Sequence, residues 1–380
     1  MKLDYIDALR GMAILSVIWF HCHLEHFSNT TFYSLMDTLG SPAAIGVQLF
    51  YALSAFTLFL SQDRRKGADI QKTDFFYRRF FRIAPMYYVA IPYYLWQMAY
   101  FYSQPLSSVI RYNVYGIMAN MLLLHGLSPV WINSIIPGGW SVGIEVLFYA
   151  MVPFLFTRIT NLNRAILFTV LTLLVGFVLT SVLLHVPAIQ NSQLLVEYLF
   201  YYLPYQLPVF GCGIVAYYVV IRKERRVRPW VTGLAVSVVA FLILSKTIGQ
   251  TVLRNLPHTL HLFGSIGFAV LIIVLAKWPS RLLVNRVTRY IGKVSYSAYL
   301  THFGILYWLN KVLPKALIPV TSTLTNVINF HLKFVLILVP TVLFSSITYH
   351  LIEEPAQQVG KQFLRRRKDR ALPAAVEINQ

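Results

Sequence analysis

The sequence is poor in charge, in acidic residues and in cysteine. Only 12% of its 380 residues are charged and 57% are hydrophobic, whereas a soluble protein carries about 25% charged residues. So little polar surface excludes an ordinary soluble fold and leaves the bilayer as the solvent. The two cysteines, Cys22 and Cys212, lie in apolar runs without a CxxC spacing. This excludes a disulfide framework and a cysteine-based metal site.

Ten apolar segments are long enough to cross a bilayer as helices, which takes about 20 residues each. They lie at 8–26, 44–61, 84–103, 140–157, 164–185, 196–221, 230–248, 257–277, 293–312 and 330–352. A further apolar piece at 114–125 is too short to cross. The sequence therefore predicts an all-α, multi-pass protein of the plasma or inner membrane with about ten transmembrane helices. We expect a short re-entrant or interfacial helix in the outer 104–139 loop.

Basic residues are spread unevenly over the loops between these segments. With the N-terminus placed in the cytoplasm, 27 of the 33 Lys and Arg residues fall on the cytoplasmic side and six on the other. This asymmetry follows the positive-inside rule, so both termini are predicted to be cytoplasmic. In a soluble protein a net charge of +19 would indicate nucleic acid. Here the topology explains the charge, and no nucleic-acid partner is expected.

The chain divides into a transmembrane domain at 1–356 and a basic cytoplasmic tail at 357–380. The tail contains the run Arg365–Lys368. Such a run is either an anchor to anionic lipid or a plain topology signal.

Arg10 and His21 lie eleven residues apart in the first apolar segment. Eleven steps of ~100° end about 20° from a whole number of turns, so both residues share one helix face, ~16 Å apart along the axis. Histidine suits proton transfer near neutral pH, although a hydrogen-bonded packing role is an alternative. Asp7, three residues before Arg10, is placed to pair with it.

Glu145 is an ionisable residue near the start of another apolar segment, after the turn Gly138–Ser141. A carboxylate at such a position is costly unless it is paired. We place it on the outer side with His21, where a carboxylate could orient the imidazole. The alternative is that Glu145 simply favours the positive end of its helix.

Arg78, Arg79 and Arg82 precede the third apolar segment. Arg79 and Arg82 are three residues apart and share a helix face, and guanidinium groups bind phosphate through paired hydrogen bonds. A positive-inside cluster is the alternative. His302 lies within the ninth segment, and its spacing does not decide between a structural and a functional role.

Six segments, in order, resemble the membrane O-acyltransferases of acyltransferase family 3. They are Leu3–Ala13, Gly46–Phe56, Arg78–Tyr88, Trp140–Tyr149, Gly292–His302 and Ile352–Pro355. The resemblance covers nearly the whole chain. It implies transfer of an acyl group, most often acetyl, from acyl-coenzyme A to a hydroxyl of an extracytoplasmic glycan or a lipid-linked saccharide.

The resemblance also implies roles for particular residues. His21 would be the general base or a transient acyl carrier, Glu145 would orient it or hold the acceptor, and Arg10 would stabilise charge or contact the donor. The residues expected to bind acyl-coenzyme A are Arg78, Arg79 and Arg82. Those expected to support the site are Asp7, Trp140, Ser141, Tyr149, Tyr299 and His302. Coenzyme A enters as a substrate, and neither a metal nor a cofactor is expected.

Two rival interpretations remain open from the sequence. One is a transporter or flippase of a lipid-linked sugar, whose ionisable residues would line a path and do no chemistry. The other is an acyltransferase acting on a small molecule or a peptide.

Reporter fusions test the predicted topology. Fusions after residue 70, after residue 225 and at the C-terminus should report the cytoplasm, because the basic loops are retained there. Fusions near residues 35, 190 and 320 should report the outer side. A C-terminus on the outer side would contradict the ten-span map.

Overall fold

The computed structural model describes residues 3–26, 46–65, 72–248, 258–314 and 316–377. Within these ranges every regular element is a helix, as predicted from the apolar segments. The α-helices, numbered in chain order, are α1 Asp4–His26, α2 Gly46–Asp63, α3 Lys72–Tyr102, α4 Leu106–Tyr112, α5 Val114–Met121, α6 Gly139–Arg158, α7 Leu162–Leu184, α8 Pro187–Gln190, α9 Gln193–Tyr201, α10 Leu203–Val220, α11 Pro229–Ile248, α12 His258–Lys277, α13 Arg286–Lys293, α14 Ser295–Val312, α15 Thr323–Thr348 and α16 Glu354–Glu377. A short 3-10 helix, His125–Leu127, follows α5, and a π-helical turn, Tyr349–Glu353, joins α15 to α16.

Each predicted apolar segment is mostly helical over the residues that the structure describes. Two of them are divided between consecutive helices, 196–221 at Tyr202 and 293–312 at Val294. Four helical stretches in those ranges are long and apolar enough to cross a membrane. They are Gly139–Arg158, Leu162–Leu184, Gln193–Val220 and Thr323–Arg367. The protein is therefore an all-helical chain with membrane-spanning character. The predicted 104–139 loop contains two short helices, α4 and α5, where one was expected.

Helix α3 begins well before the apolar segment that predicted it. Its first turns carry Asp74 and the three arginines Arg78, Arg79 and Arg82. These polar residues lower the local hydropathy without interrupting the helix, so a search for apolar runs places the start too late. The arginines consequently belong to the same rigid helix as the apolar residues after Ile83.

Helix α2 lies at the centre of the fold. Its residues are buried almost all round, and Tyr51, Phe56 and Phe59 are among the largest fully buried side chains. A helix that is apolar on every side is buried by its neighbours, and α1 and α10 both pack along α2. The polar residues that α2 does carry are therefore held inside the protein.

Two helix crossings bring backbones into direct contact at glycine. A Cβ added to Gly292 of α13 would lie 1.7 Å from the carbonyl oxygen of Asp7, and one added to Gly213 of α10 would lie 2.0 Å from that of Ala52. Small residues at such crossings permit close packing of helices in membranes. These contacts fix α1 and α2 against their neighbours, and both helices contribute to the site described next.

The C-terminal helix α16 packs along α3. The Phe363 ring lies 5.1 Å from that of Tyr77, and Gly360 leaves room for Phe81, whose ring carbon would be 2.7 Å from an added Cβ. The Arg367 guanidinium lies 3.7 Å from the Asp74 carboxylate. The first part of the segment predicted as a basic tail is therefore a helix docked on the rest of the protein.

Candidate functional site

A cavity lies between α1, α2, α3, α6 and α14. Its wall combines basic, acidic and hydroxyl-bearing side chains. Of the residues predicted from the sequence, those that line it are Arg10, Arg79, Arg82, Ser141, Glu145, Tyr149 and Tyr299. Four helices that are distant in sequence thus deliver seven of the predicted residues to one place, and α2 completes the wall.

The Glu145 carboxylate is held between α2 and α6. Its Oε1 accepts hydrogen bonds from the Ser54 hydroxyl at 2.5 Å and from the Tyr149 hydroxyl at 2.7 Å. Tyr149 lies one turn further along the same helix, where the i, i+4 spacing brings the side chains together. Two donors on one oxygen fix the carboxylate and leave its negative charge facing the arginines of the cavity.

The arginines make the cavity basic. Arg10 lies 3.5 Å from the Asp7 carboxylate and donates to the Thr57 hydroxyl at 3.4 Å. The Arg79 guanidinium lies over the rings of Phe75 and Tyr149, 5.7 and 5.6 Å from their centres, which is the geometry of a cation–π contact. Its Nε is buried and has no hydrogen-bond partner among the described residues.

His21 lies outside the lining of this cavity and contacts a second histidine. His21 Nδ1 is 2.8 Å from the Val17 carbonyl oxygen and 3.4 Å from His302 Nε2. His302 Nδ1 is 2.7 Å from the Tyr299 carbonyl oxygen. In neutral rings both Nδ1 atoms therefore carry the proton, because only they face carbonyl oxygens. This leaves Nε2 of His21 with a lone pair free to accept a proton.

The expected pairing of Glu145 with His21 is not found and is corrected here. Glu145 bonds to Ser54 and Tyr149, whereas His21 contacts His302. The reason is that α6 meets α2 at Glu145, while α14 brings His302 against α1. Glu145 consequently belongs to the arginine-lined cavity.

Tyr299 lies between the cavity and the two histidines. Its ring lines the cavity and is 5.7 Å from the His302 ring. Its hydroxyl donates to the Gly138 carbonyl oxygen at 2.9 Å and accepts from the Ser141 hydroxyl at 2.8 Å. Gly138 adopts φ +75°, a conformation that glycine tolerates without strain. This turn therefore fixes α6 to α14.

Trp140 and Arg78 do not line the cavity. Trp140 is buried and stacks on Tyr201, with ring centres 4.6 Å apart. It supports the wall from behind. Arg78 lies four residues, about one turn, before Arg82, nearer the start of α3 and outside the lining of the cavity.

The sequence reasoning missed His125, which is fully buried in the loop after α5. Its Nε2 lies 2.9 Å from the Gly139 carbonyl oxygen and 3.0 Å from the Tyr87 hydroxyl, and Tyr87 donates to Asn120 at 2.7 Å. Gly143 of α6 packs on the ring, since an added Cβ would be 2.8 Å from Nε2. The position of His125 in a predicted loop gave no signal of burial.

Glu353 was also missed as a site residue. Its buried carboxylate accepts a hydrogen bond from the Ser297 hydroxyl and interacts electrostatically with Arg82. The signal was present, because Glu353 lies in one of the six family-like segments. Glu353 is thus a second carboxylate, besides Glu145, near the arginines of the cavity.

Comparisons with known proteins give consistent matches. A family model described as an acyltransferase domain matches residues 3–350. The peptidoglycan O-acetyltransferase OatA of Listeria monocytogenes is 22% identical over 93% of this chain and 56% of its own length. The "Putative peptidoglycan O-acetyltransferase YrhL" of Bacillus subtilis is 27% identical over 95% of this chain and 56% of its own length. The chain thus spans about half the length of these relatives. No solved structure matches it.

The buried histidine of the 125–127 turn offers a test of how the cavity wall is held. His125→Ala leaves the Gly139 carbonyl and the Tyr87 hydroxyl without this partner, so it should lower the free energy of unfolding by about 1–3 kcal/mol. Thermal unfolding of the purified protein in detergent measures the change. His331→Ala is the control, since that ring is exposed and its hydrogen bond among the described residues is to the Val327 carbonyl of its own helix. Equal unfolding temperatures for the two variants would contradict the assigned role.

Proposed function

Because this chain belongs to acyltransferase family 3, whose model matches residues 3–350, we propose that it is an integral membrane O-acyltransferase. The group transferred is an acyl group, most simply acetyl, since both relatives are named O-acetyltransferases. The acceptor is a hydroxyl of an extracytoplasmic glycan or lipid-linked saccharide. One observation carries the proposal. Arg10 of α1 lies in a basic cavity, and the same face of α1 presents His21 further along the helix.

The proposed donor is acyl-coenzyme A, with its phosphates held in the cavity. Arg10, Arg79 and Arg82 outnumber the Glu145 carboxylate there. Guanidinium groups bind phosphate oxygens through charge-assisted, often paired hydrogen bonds. The buried Arg79 Nε, which lacks a partner among the described residues, is a donor that an anion would satisfy.

The proposed transfer takes place at His21. Its Nε2 removes the proton from the acceptor hydroxyl as the oxygen attacks the thioester carbonyl. A C–O bond forms, the C–S bond breaks, and the proton passes from Nε2 to the departing thiolate. In a second route His21 Nε2 first attacks the thioester, so that a C–N bond forms, the C–S bond breaks and the thiolate leaves. The acceptor oxygen then attacks the acyl carbon, the C–N bond breaks, and the proton released by the hydroxyl neutralises the thiolate. In either route the Val17 carbonyl oxygen holds the proton on His21 Nδ1, with His302 Nε2 as a more distant second acceptor, and this keeps Nε2 of His21 free.

The predicted topology is compatible with donor binding at the arginines and acyl transfer at His21. With the N-terminus in the cytoplasm, the arginines of α3 lie on the side that holds coenzyme A, and His21 lies toward the side of the glycan. Arg10 and His21 are ~16 Å apart along α1. Coenzyme A carries its thioester on a long flexible arm, so phosphates at the arginines and a thioester near His21 are mutually compatible.

Replacement of His21 tests the chemical step. His21→Asn keeps a polar side chain but cannot take the proton, so acyl transfer should fall by about 10²- to 10⁴-fold while the protein stays in the membrane. Glycan mass spectrometry would show the loss of one acyl group per acylated unit. His331→Asn is the matched exposed control. Near-normal acylation by His21→Asn would refute the assignment and make His302 the next candidate, and loss of the whole glycan would favour a flippase.

Replacement of Arg79 and Arg82 tests the donor. Each Arg→Ala change should weaken acyl-coenzyme A binding by about 1.5–3 kcal/mol, the value of a hydrogen bond to a charged group, and raise KM for the donor. Lys should rescue only in part, because it lacks the planar fork. Arg158→Ala, an exposed arginine at the end of α6, is the control. If the double variant has an unchanged KM for the donor, the two arginines do not bind the donor and act as a topology signal.

A further inference from the structure

A second basic cluster lies at the start of α3, apart from the cavity. Its centre is Asp74, which is 5% exposed. Arg367 of α16 lies 3.7 Å from the Asp74 carboxylate. Asp74 also attracts Arg78 and Arg65, which lies in the turn after α2, while the two arginines repel each other. Three guanidinium groups thus interact with one carboxylate, which leaves two positive charges in excess.

Arg78 has unused hydrogen-bonding capacity in this cluster. Its Nε and Nη2 are buried and have no partner among the described residues. These two nitrogens form one edge of the guanidinium, the edge that can bind two oxygens of a phosphate or carboxylate in parallel. Asp74 lies one turn before Arg78, yet the ion pair that it forms is with Arg367. An oxyanion bound at this edge would therefore supply the partners that the described residues do not.

The docked C-terminal helix holds the third arginine in place. Arg367 donates to the Thr73 hydroxyl at 3.1 Å, and its guanidinium lies 5.5 Å from the centre of the Tyr77 ring. The contact between Phe363 and Tyr77 fixes the preceding turn of α16 on the same helix. Three separate segments, the turn after α2, the start of α3 and α16, thus converge on one charged cluster.

We propose that Arg65, Arg78 and Arg367 form a separate site for a phosphate monoester, the one on the ribose of coenzyme A. A phosphate monoester carries about −1.5 to −2 charges at neutral pH, which matches the excess positive charge of the cluster. The proposal rests on the proposed function. Coenzyme A has a pyrophosphate and, further from the thioester, a ribose phosphate. Arg79 and Arg82 line the cavity, and Arg78 lies one turn nearer the start of α3 than Arg82, so the two groups would be bound one after the other along α3.

A comparison of two donors tests this site. Acetyl-coenzyme A and its 3′-dephospho analogue differ only in the ribose phosphate, and both are supplied to full-length protein in vesicles of neutral lipid. The unaltered protein should show a KM about tenfold or more lower for the phosphorylated donor, the effect of losing charge-assisted hydrogen bonds. Arg78→Ala should bring the ratio of the two KM values close to one. Arg367→Ala should reduce that ratio, and Arg78→Lys should reduce it only in part.

Arg366→Ala is the matched control, because it removes the same charge from an exposed position on the same helix. It should leave the KM ratio unchanged. Equal KM values for the two donors with the unaltered protein would overturn the proposal, as would an equal rise of both in Arg78→Ala. A lipid headgroup phosphate is the other source of this chemistry. The assay is therefore repeated in vesicles that contain anionic lipid. If Arg78→Ala keeps the ratio in neutral vesicles but loses a stimulation by anionic lipid, the site binds lipid and the coenzyme assignment is wrong. Absence of transfer from either donor would instead refute the proposed function, and this site with it.

Discussion

The site depends on keeping charged groups inside a helix bundle that is otherwise apolar. Unpaired charge in such an interior is strongly unfavourable, and it persists only with partners and hydrogen bonds. Helix α2 supplies these through two hydroxyls one turn apart. Ser54 donates to Glu145, and Thr57 accepts from Arg10. Ser54 and Thr57 thus form a small polar patch on α2, which is buried on almost every side. Helices α1, α3 and α6 bring their charged residues to this patch.

Several features could be predicted from the sequence because they follow from local periodicity. The common face of Arg10 and His21 follows from the geometry of a single helix, and the helical segments follow from the length of the apolar runs. The grouping of Arg79 with Arg82 has the same local origin. In each case the residues concerned belong to one element, so no knowledge of tertiary contacts was needed.

The partners of Glu145 and His21 could not be predicted in this way. Glu145 bonds to Ser54, 91 residues away, and His21 contacts His302, 281 residues away. Both pairs are set by which helices pack together, and hydropathy carries no such information. His125 shows the same limit, because its burial depends on α3 and α6 closing over a loop. The early start of α3 was missed for a different reason, since its charged first turns are helical but not apolar.

The π-helical turn Tyr349–Glu353 determines in which direction the side chains of α16 point. A π turn contains one more residue than an α turn, so α16 is turned by ~100° relative to a straight continuation of α15. This rotation places Glu353 against Ser297 and directs Phe363 and Arg367 toward α3. The turn therefore sets the rotation of α16 about its own axis. One residue of extra backbone determines which side of the C-terminal helix meets the arginine-bearing helix.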